Sequence, residues 1–152
     1  LFCFTVGPTT PDFLKTLKAA AELVVASTQW TATEKYQGTD IFGTPQKYAA
    51  AYKAAYGDDP DYHAADGTSV GVAFQAALEK AGSTDPSKLR DALAGLDITT
   101  FYGKIKFDSR GINTAKPMAV QQIQDGKLVT VWPADVAEAK PRYPTPEWSK
   151  RA

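Results

Sequence analysis

The sequence predicts an α/β fold, and three observations point there. Four helix starts carry a capping residue followed by proline, short apolar runs separate the helices of the first half, and two alternating runs flank Asp125-Gly126 in the second half. Helices alternating with strands, closed by a hairpin, form the pattern of an α/β chain.

The helix starts are Thr10-Pro11, Thr44-Pro45, Asp59-Pro60 and Asp85-Pro86. A Thr or Asp oxygen there accepts an orphan backbone N–H, and proline at the first helical position loses no hydrogen bond. The spacing predicts a helix over 11–22 with Phe13, Leu14 and Leu17 on one face. A second, over 45–56, carries Tyr48, Tyr52 and Tyr56 at i, i+4 and i+8 and stops at Gly57. A third, over 60–81, stacks Val70, Phe74, Ala77, Leu78 and Ala81 and ends at Gly82. The fourth, over 86–95, uses Leu89, Ala92, Leu93 and the following Leu96.

Residues 1–6 and 23–26 are apolar and β-branched enough for buried strands. From 104 onward the chain alternates, with Lys104 and Lys106 outward and Ile105 and Phe107 inward, before Asp108-Ser109-Arg110-Gly111 turns it. Residues 117–124 and 127–132 form the predicted hairpin, because Asp-Gly suits a turn in which both central residues need positive φ. The last twenty residues hold Pro133, Pro141, Pro144 and Pro146 without periodicity and read as an extended surface tail.

Composition narrows the function. The 152 residues include 43% hydrophobic and 22% charged side chains, enough for a core in one domain or two small lobes. Lys+Arg and Asp+Glu both number 17, and a balanced chain has no general attraction for nucleic acid or anionic lipid. The single Cys3 excludes an internal disulfide and the single His63 excludes a Cys/His zinc cluster. No apolar run reaches bilayer length. The opening Leu1-Phe2-Cys3-Phe4-Thr5-Val6 has neither a charged leading region nor a cleavage site, and reads as an internal point of a longer protein.

Chemical motifs are few. Cys3 and His63 are a candidate nucleophile–base pair, but a thiol inside an apolar strand is ordinarily an inert small hydrophobe. Asp58, Asp59, Asp61 and Asp66 near His63 lack the alternating ligands, glycine and terminal Glu of a calcium loop, so no metal is assigned. The suggestive element is Gly7-Pro8-Thr9-Thr10-Pro11, which joins a strand to a helix start. At the carboxyl end of a strand in an α/β fold this is a common ligand position, and unpaired N–H groups with two hydroxyls suit an anion. An ordinary capped strand–helix turn is the plain alternative.

Taken in order, several segments carry a resemblance. They are Val6-Gly7-Pro8-Thr9-Thr10-Pro11-Asp12-Phe13, the Trp30 segment, Phe42-Gly43-Thr44-Pro45 with Tyr48, Tyr52 and Tyr56-Gly57, and Asp61-Tyr62-His63-Ala64-Ala65. Ala81-Gly82-Ser83-Thr84-Asp85, Arg90-Asp91-Ala92-Leu93 and Thr100-Phe101-Tyr102-Gly103-Lys104-Ile105-Lys106-Phe107-Asp108 follow. Gln122-Ile123-Gln124-Asp125-Gly126-Lys127, Val131-Trp132-Pro133 and Pro144-Thr145-Pro146-Glu147-Trp148 complete the set. The chain resembles the C-terminal part of the periplasmic solute-binding proteins of branched-chain amino acid ABC transporters, which have the type I periplasmic binding fold.

That resemblance implies two Rossmann-like lobes joined by a hinge, with a ligand cleft between them. It implies no catalytic activity, no cofactor and no metal, an extracytoplasmic or periplasmic location, and delivery of a small-molecule ligand to a membrane permease. By it, residues 1–58 belong to the C-terminal lobe, 59–113 cross to complete the N-terminal lobe, and 114–152 return. The remaining partner is the missing N-terminal part of the same protein, or self-association.

The ligand residues it implies are Thr9, Thr10, Phe13, Tyr62, Ala65 and Asp66. In relatives that bind amino acids, an acid just after the Gly-Pro of the first junction pairs with the ligand ammonium; here that position is Thr9. Asp66 either supplies that charge from the opposite lobe or is a solvated polar position. The implied function is binding of a small amino-acid-like or aromatic-acid ligand. The alternatives are a ligand-sensing regulatory domain of the same fold and a small hydrolase using Cys3 or His63.

Overall fold

The structure is a computed structural model that describes residues 3–5 and 7–150, with the Trp148 side chain left out of the description. Leu1, Phe2 and Val6 of the first predicted strand lie outside the described residues. The chain forms two compact units, one of residues 1–34 with 118–152 and the other of 35–117.

The first unit is built on a four-stranded sheet. Strand β1 (Cys3–Phe4) runs parallel to β2 (Val25–Thr28), β2 pairs antiparallel with β5 (Ala119–Gln124), and β5 pairs antiparallel with β6 (Lys127–Trp132). As the sequence predicts, Asp125 and Gly126 close the β5–β6 hairpin, with φ of 53° and 70°. Helix α1 spans Pro11–Leu17 and tightens into a 3-10 turn over Lys18–Ala21, shorter than the predicted 11–22. Positive φ at Lys18 and Leu23 re-aims the chain so that Ala21 and Val24 bury against Ile123, with Phe13, Leu14 and Leu128 packed around them.

One expectation fails at β1. Cys3 and Phe4 are exposed rather than buried, and among the described residues β1 is the outer strand of the sheet, paired with β2 alone. The C-terminal tail is largely exposed but is tied to β5 by glutamines. Gln122 accepts the Arg142 N–H at 2.8 Å and donates to its carbonyl at 3.2 Å, and Gln124 donates to the Lys140 carbonyl at 2.9 Å. Two buried side-chain amides thus find their partners in the tail backbone.

The second unit holds α2 (Pro45–Tyr56), α3 (Tyr62–Ala81), α4 (Pro86–Ala94) and an antiparallel pair, β3 (Asp97–Thr100) and β4 (Gly103–Lys106). Thr44 caps α2 by accepting the Lys47 N–H at 3.2 Å, and Asp85 caps α4 through Lys88 at 3.0 Å. The cap of α3 is Asp61, not Asp59. Its extended backbone lets Oδ1 accept the Ala64 N–H at 2.9 Å, which leaves Pro60 outside the helix and Asp59 paired with Lys53.

The inner face of α3 also differs from the predicted one. Ala65, Ser69, Ala73 and Ala77 are buried, whereas Val70 is 68% and Phe74 47% exposed. Ala73 packs with Leu96 and Ile105, and small side chains on that face allow these larger neighbours to approach. Strand β3, which the sequence reading leaves unassigned, pairs Ile98 with Ile105.

The units divide at Glu34/Lys35 and Pro117/Met118, whereas the sequence reading sets its borders at 58/59 and 113/114. Residues 35–58 cluster with the second unit through their aromatics. Phe42 meets Tyr48 and Phe101 edge-on at 5.1 and 5.2 Å between centroids, and Tyr48 is buried. Gly38 lies so close to Thr100 that a Cβ there would sit 2.6 Å from its backbone.

Candidate functional site

The strand–helix junction of the first unit is shaped by Gly7, whose φ of 88° turns the chain after β1. The Gly7 carbonyl then accepts both the Thr10 N–H at 2.9 Å and the Thr10 hydroxyl at 2.6 Å. The Thr10 hydroxyl is therefore spent inside the turn and does not cap α1. Thr9 is different. It is 5% exposed, and its Oγ1 is buried with no hydrogen-bond partner among the described residues. Phe13 is half-buried on the core around Ala21 and Ile123 and tilts toward Phe4 at 6.5 Å.

Tyr62, Ala65 and Asp66 stand at i, i+3 and i+4 in the first turns of α3 and so share one face of it. Ala65 is fully buried and Tyr62 half-buried. Burial, with the charges of Asp66 and Asp61 nearby, pushes the Tyr62 phenol above its ordinary value of 10.0. The Asp66 carboxylate has its Oδ1 buried with no hydrogen-bond partner among the described residues. The six residues thus form two sets, one in each unit, and each set contains a side-chain oxygen removed from solvent and left unpaired.

His63 is exposed, lies beside the Tyr62 ring and faces Asp61 at 3.4 Å, and it belongs to the second unit while Cys3 belongs to the first. Among the described residues no group of three or more His, Cys, Asp or Glu is placed to hold a metal ion. No helix among them is long and apolar enough to cross a membrane.

Two grooves escaped the sequence reading, and neither touches the six residues. One, of about 620 Å³, is apolar and lined by Phe74, Leu89, Leu93 and Phe107 with Arg90 at its edge. The other, of about 490 Å³, is more polar and runs past Thr39, Asp40, Gln75, Glu79 and Lys80. The signal for the first was Phe74, which helical spacing assigned to the core.

The description "periplasmic binding protein" fits residues 3–127. The chain is 36% identical over 103 residues to Leu/Ile/Val-binding protein homolog 8 of Brucella abortus (strain 2308), a match over 64% of this chain and 25% of that protein. It thus spans about a quarter of the length of that curated relative. Its fold matches the leucine-, isoleucine-, valine-, threonine-, and alanine-binding protein from Brucella ovis in its closed conformation. There the TM-score is 0.69 at 20% identity, over 92% of this chain and 38% of that one. It also matches the solute-binding protein from R. palustris in complex with benzoate, with a TM-score of 0.60 at 20% identity over 78% and 31% of the two chains. These two likenesses show the fold. With the family pattern extending through both units, this chain belongs to the periplasmic binding protein family, within the type I fold of the branched-chain amino acid transporters.

Proposed function

We propose that this chain is part of the extracytoplasmic solute-binding component of an ABC importer. It binds a small amino-acid-like or aromatic-acid solute, carries out no catalysis and hands the solute to a membrane permease. The first unit contributes to the C-terminal lobe and the second to the N-terminal lobe. Thr9, Thr10 and Phe13 serve the ligand from one unit, and Tyr62, Ala65 and Asp66 from the other.

One observation supports this most. Thr9 Oγ1 and Asp66 Oδ1 are both buried and unpaired among the described residues, and both belong to the residues that the family resemblance singles out. A buried polar atom without a partner costs about 1–3 kcal/mol, so such atoms persist where a ligand completes them. The relatives named for leucine, isoleucine and valine, and the one holding benzoate, mark the range of solutes to test.

The test is thermal unfolding of the protein expressed from its complete gene, with each of the twenty amino acids and a set of benzoates at millimolar concentration. A ligand that binds only the folded state raises the midpoint in proportion to its occupancy. The reading expects at least one of these solutes to do so. No shift with any of them overturns it.

A further inference from the structure

We propose that residues 138–142 form a detachable strap, which lifts off β5 and β6 as a unit of its own while the four-stranded sheet beneath stays folded. This device stands apart from the solute-binding reading, since it involves none of the six ligand residues.

The seat of the strap is polar. Gln122 and Gln124, two positions apart on β5, turn to one face of the sheet, while Ile123 between them turns to the other and packs with Ala21 and Val24. Both glutamines are buried, yet the chain that covers them is exposed at Glu138, Lys140, Pro141 and Arg142. Gln122 holds Arg142 as a neighbouring strand would, accepting its N–H at 2.8 Å and donating to its carbonyl at 3.2 Å. Gln124 donates to the Lys140 carbonyl at 2.9 Å. On β6, the Thr130 carbonyl accepts the Glu138 N–H at 2.8 Å, and the Thr130 N–H donates to Glu138 Oε2 at 2.8 Å. Arg142 closes the far end by donating from both terminal nitrogens to the two Asp125 oxygens, at 2.8 and 2.5 Å.

The kind of attachment decides how the segment behaves. A segment that buries apolar side chains opens only with the core it belongs to. None of residues 138–142 is buried, and the buried apolar side chain that precedes them is Val136. Their hydrogen bonds exchange for bonds to water at a small net cost, and an exposed ion pair adds little. The uncovered seat accepts water too, because amides are readily solvated and Gln124 keeps its bond to Gln122 Oε1 at 2.7 Å. The sheet is held differently. The Ile123 N–H donates to the Val24 carbonyl at 3.0 Å and its carbonyl accepts the Leu23 N–H at 2.8 Å, inside the apolar cluster on the opposite face.

The experiment is native-state hydrogen exchange by NMR on the protein expressed from its complete gene, in urea below the unfolding transition. The strap is reported by the amides of Thr130, Glu138 and Arg142, and the sheet by those of Leu23 and Ile123. Two variants accompany the parent: Asp125→Asn, which keeps a sequence suited to the turn, and Arg142→Gln, which leaves the turn untouched. In the parent the three strap amides should share one opening, at least about 10-fold more frequent than that of the sheet pair and with a shallower urea dependence. Each variant should speed the three strap amides about 2-fold to 5-fold and leave the sheet pair unchanged. Strap amides that exchange in step with Leu23 and Ile123 in the parent overturn the proposal. So do three unrelated strap rates, or variants that accelerate strap and sheet alike.

Discussion

The ring of Tyr48 lies on that of Phe101, with centroids 4.2 Å apart and planes 25° from parallel. The Tyr48 hydroxyl meets Thr68 Oγ1 at 3.1 Å, which ties α2 to α3 as well. Both rings are buried, and Phe42 packs edge-on against each. Burying two such side chains is worth about 1.5–3 kcal/mol each, and an aromatic pair adds about 0.5–1.5 kcal/mol. This cluster is why residues 35–58 cohere with the second unit.

Asp40 makes the same connection through the backbone. Its Oδ2 accepts the Phe101 N–H at 2.7 Å across 61 positions, while Oδ1 accepts the N–H groups of Phe42 and Gly43 at 2.8 and 3.1 Å. Asp40→Ala strands all three donors. We expect it to cost about 3 kcal/mol in urea unfolding monitored by circular dichroism. A loss below about 0.5 kcal/mol, the scatter of ordinary surface substitutions, contradicts that role.

Thr9 offers a separation of stability from binding. Thr9→Val removes the buried, unpaired hydroxyl and keeps the branched shape. The unliganded protein should lose no stability, because an unmade hydrogen bond is removed rather than a made one. Solute affinity should fall by about 1–2 kcal/mol, read by calorimetry with whichever solute the thermal screen identifies. Equal affinity in parent and variant removes Thr9 from the site.

Asp97 predicts an acid limb. The hydrogen bond from Lys104, then that from Lys106, holds its carboxyl at about 2, below the ordinary 3.8. Because the folded value is depressed, the unfolded state binds more protons between pH 4 and pH 2. The contribution is complete above about pH 4 and is lost as pH falls through the folded value. Unfolding in urea at pH 2 to 5 should show the parent losing more stability toward pH 2 than Asp97→Asn does. Identical slopes for the two proteins rule out the contribution.

The exposed apolar side chains predict association. Val70 and Phe74 stand out from α3, and Phe74 lines the apolar groove. Leaving such side chains in water forgoes about 1.5–3 kcal/mol apiece. The 152-residue chain alone should therefore self-associate in size-exclusion chromatography with light scattering. Val70→Thr with Phe74→Ser should shift it toward monomer. A parent chain that runs as a stable monomer at every concentration refutes this.

The sequence by itself determined what is local, together with the family pattern. Thr44 and Asp85 cap their helices, Asp125-Gly126 closes its hairpin, and Leu89, Ala92 and Leu96 face inward as their spacing requires. Each depends on a few neighbouring residues and on backbone geometry that those residues dictate. The ordered segments identified the family, and the resemblance is what singled out Thr9 and Asp66 as proposed ligand residues. Only the tertiary structure decided which oxygens are left unpaired among the described residues, since the sequence does not show that Thr10 turns its hydroxyl back onto Gly7 while Thr9 buries its own. It also decided the buried face of α3. In a helix rich in alanine several stripes satisfy the same 3.6-residue period, and the neighbours Leu96 and Ile105 select the one with small side chains. Strand β3 and the exposure of Cys3 depend likewise on which strand lies alongside, a long-range fact that no window of sequence contains.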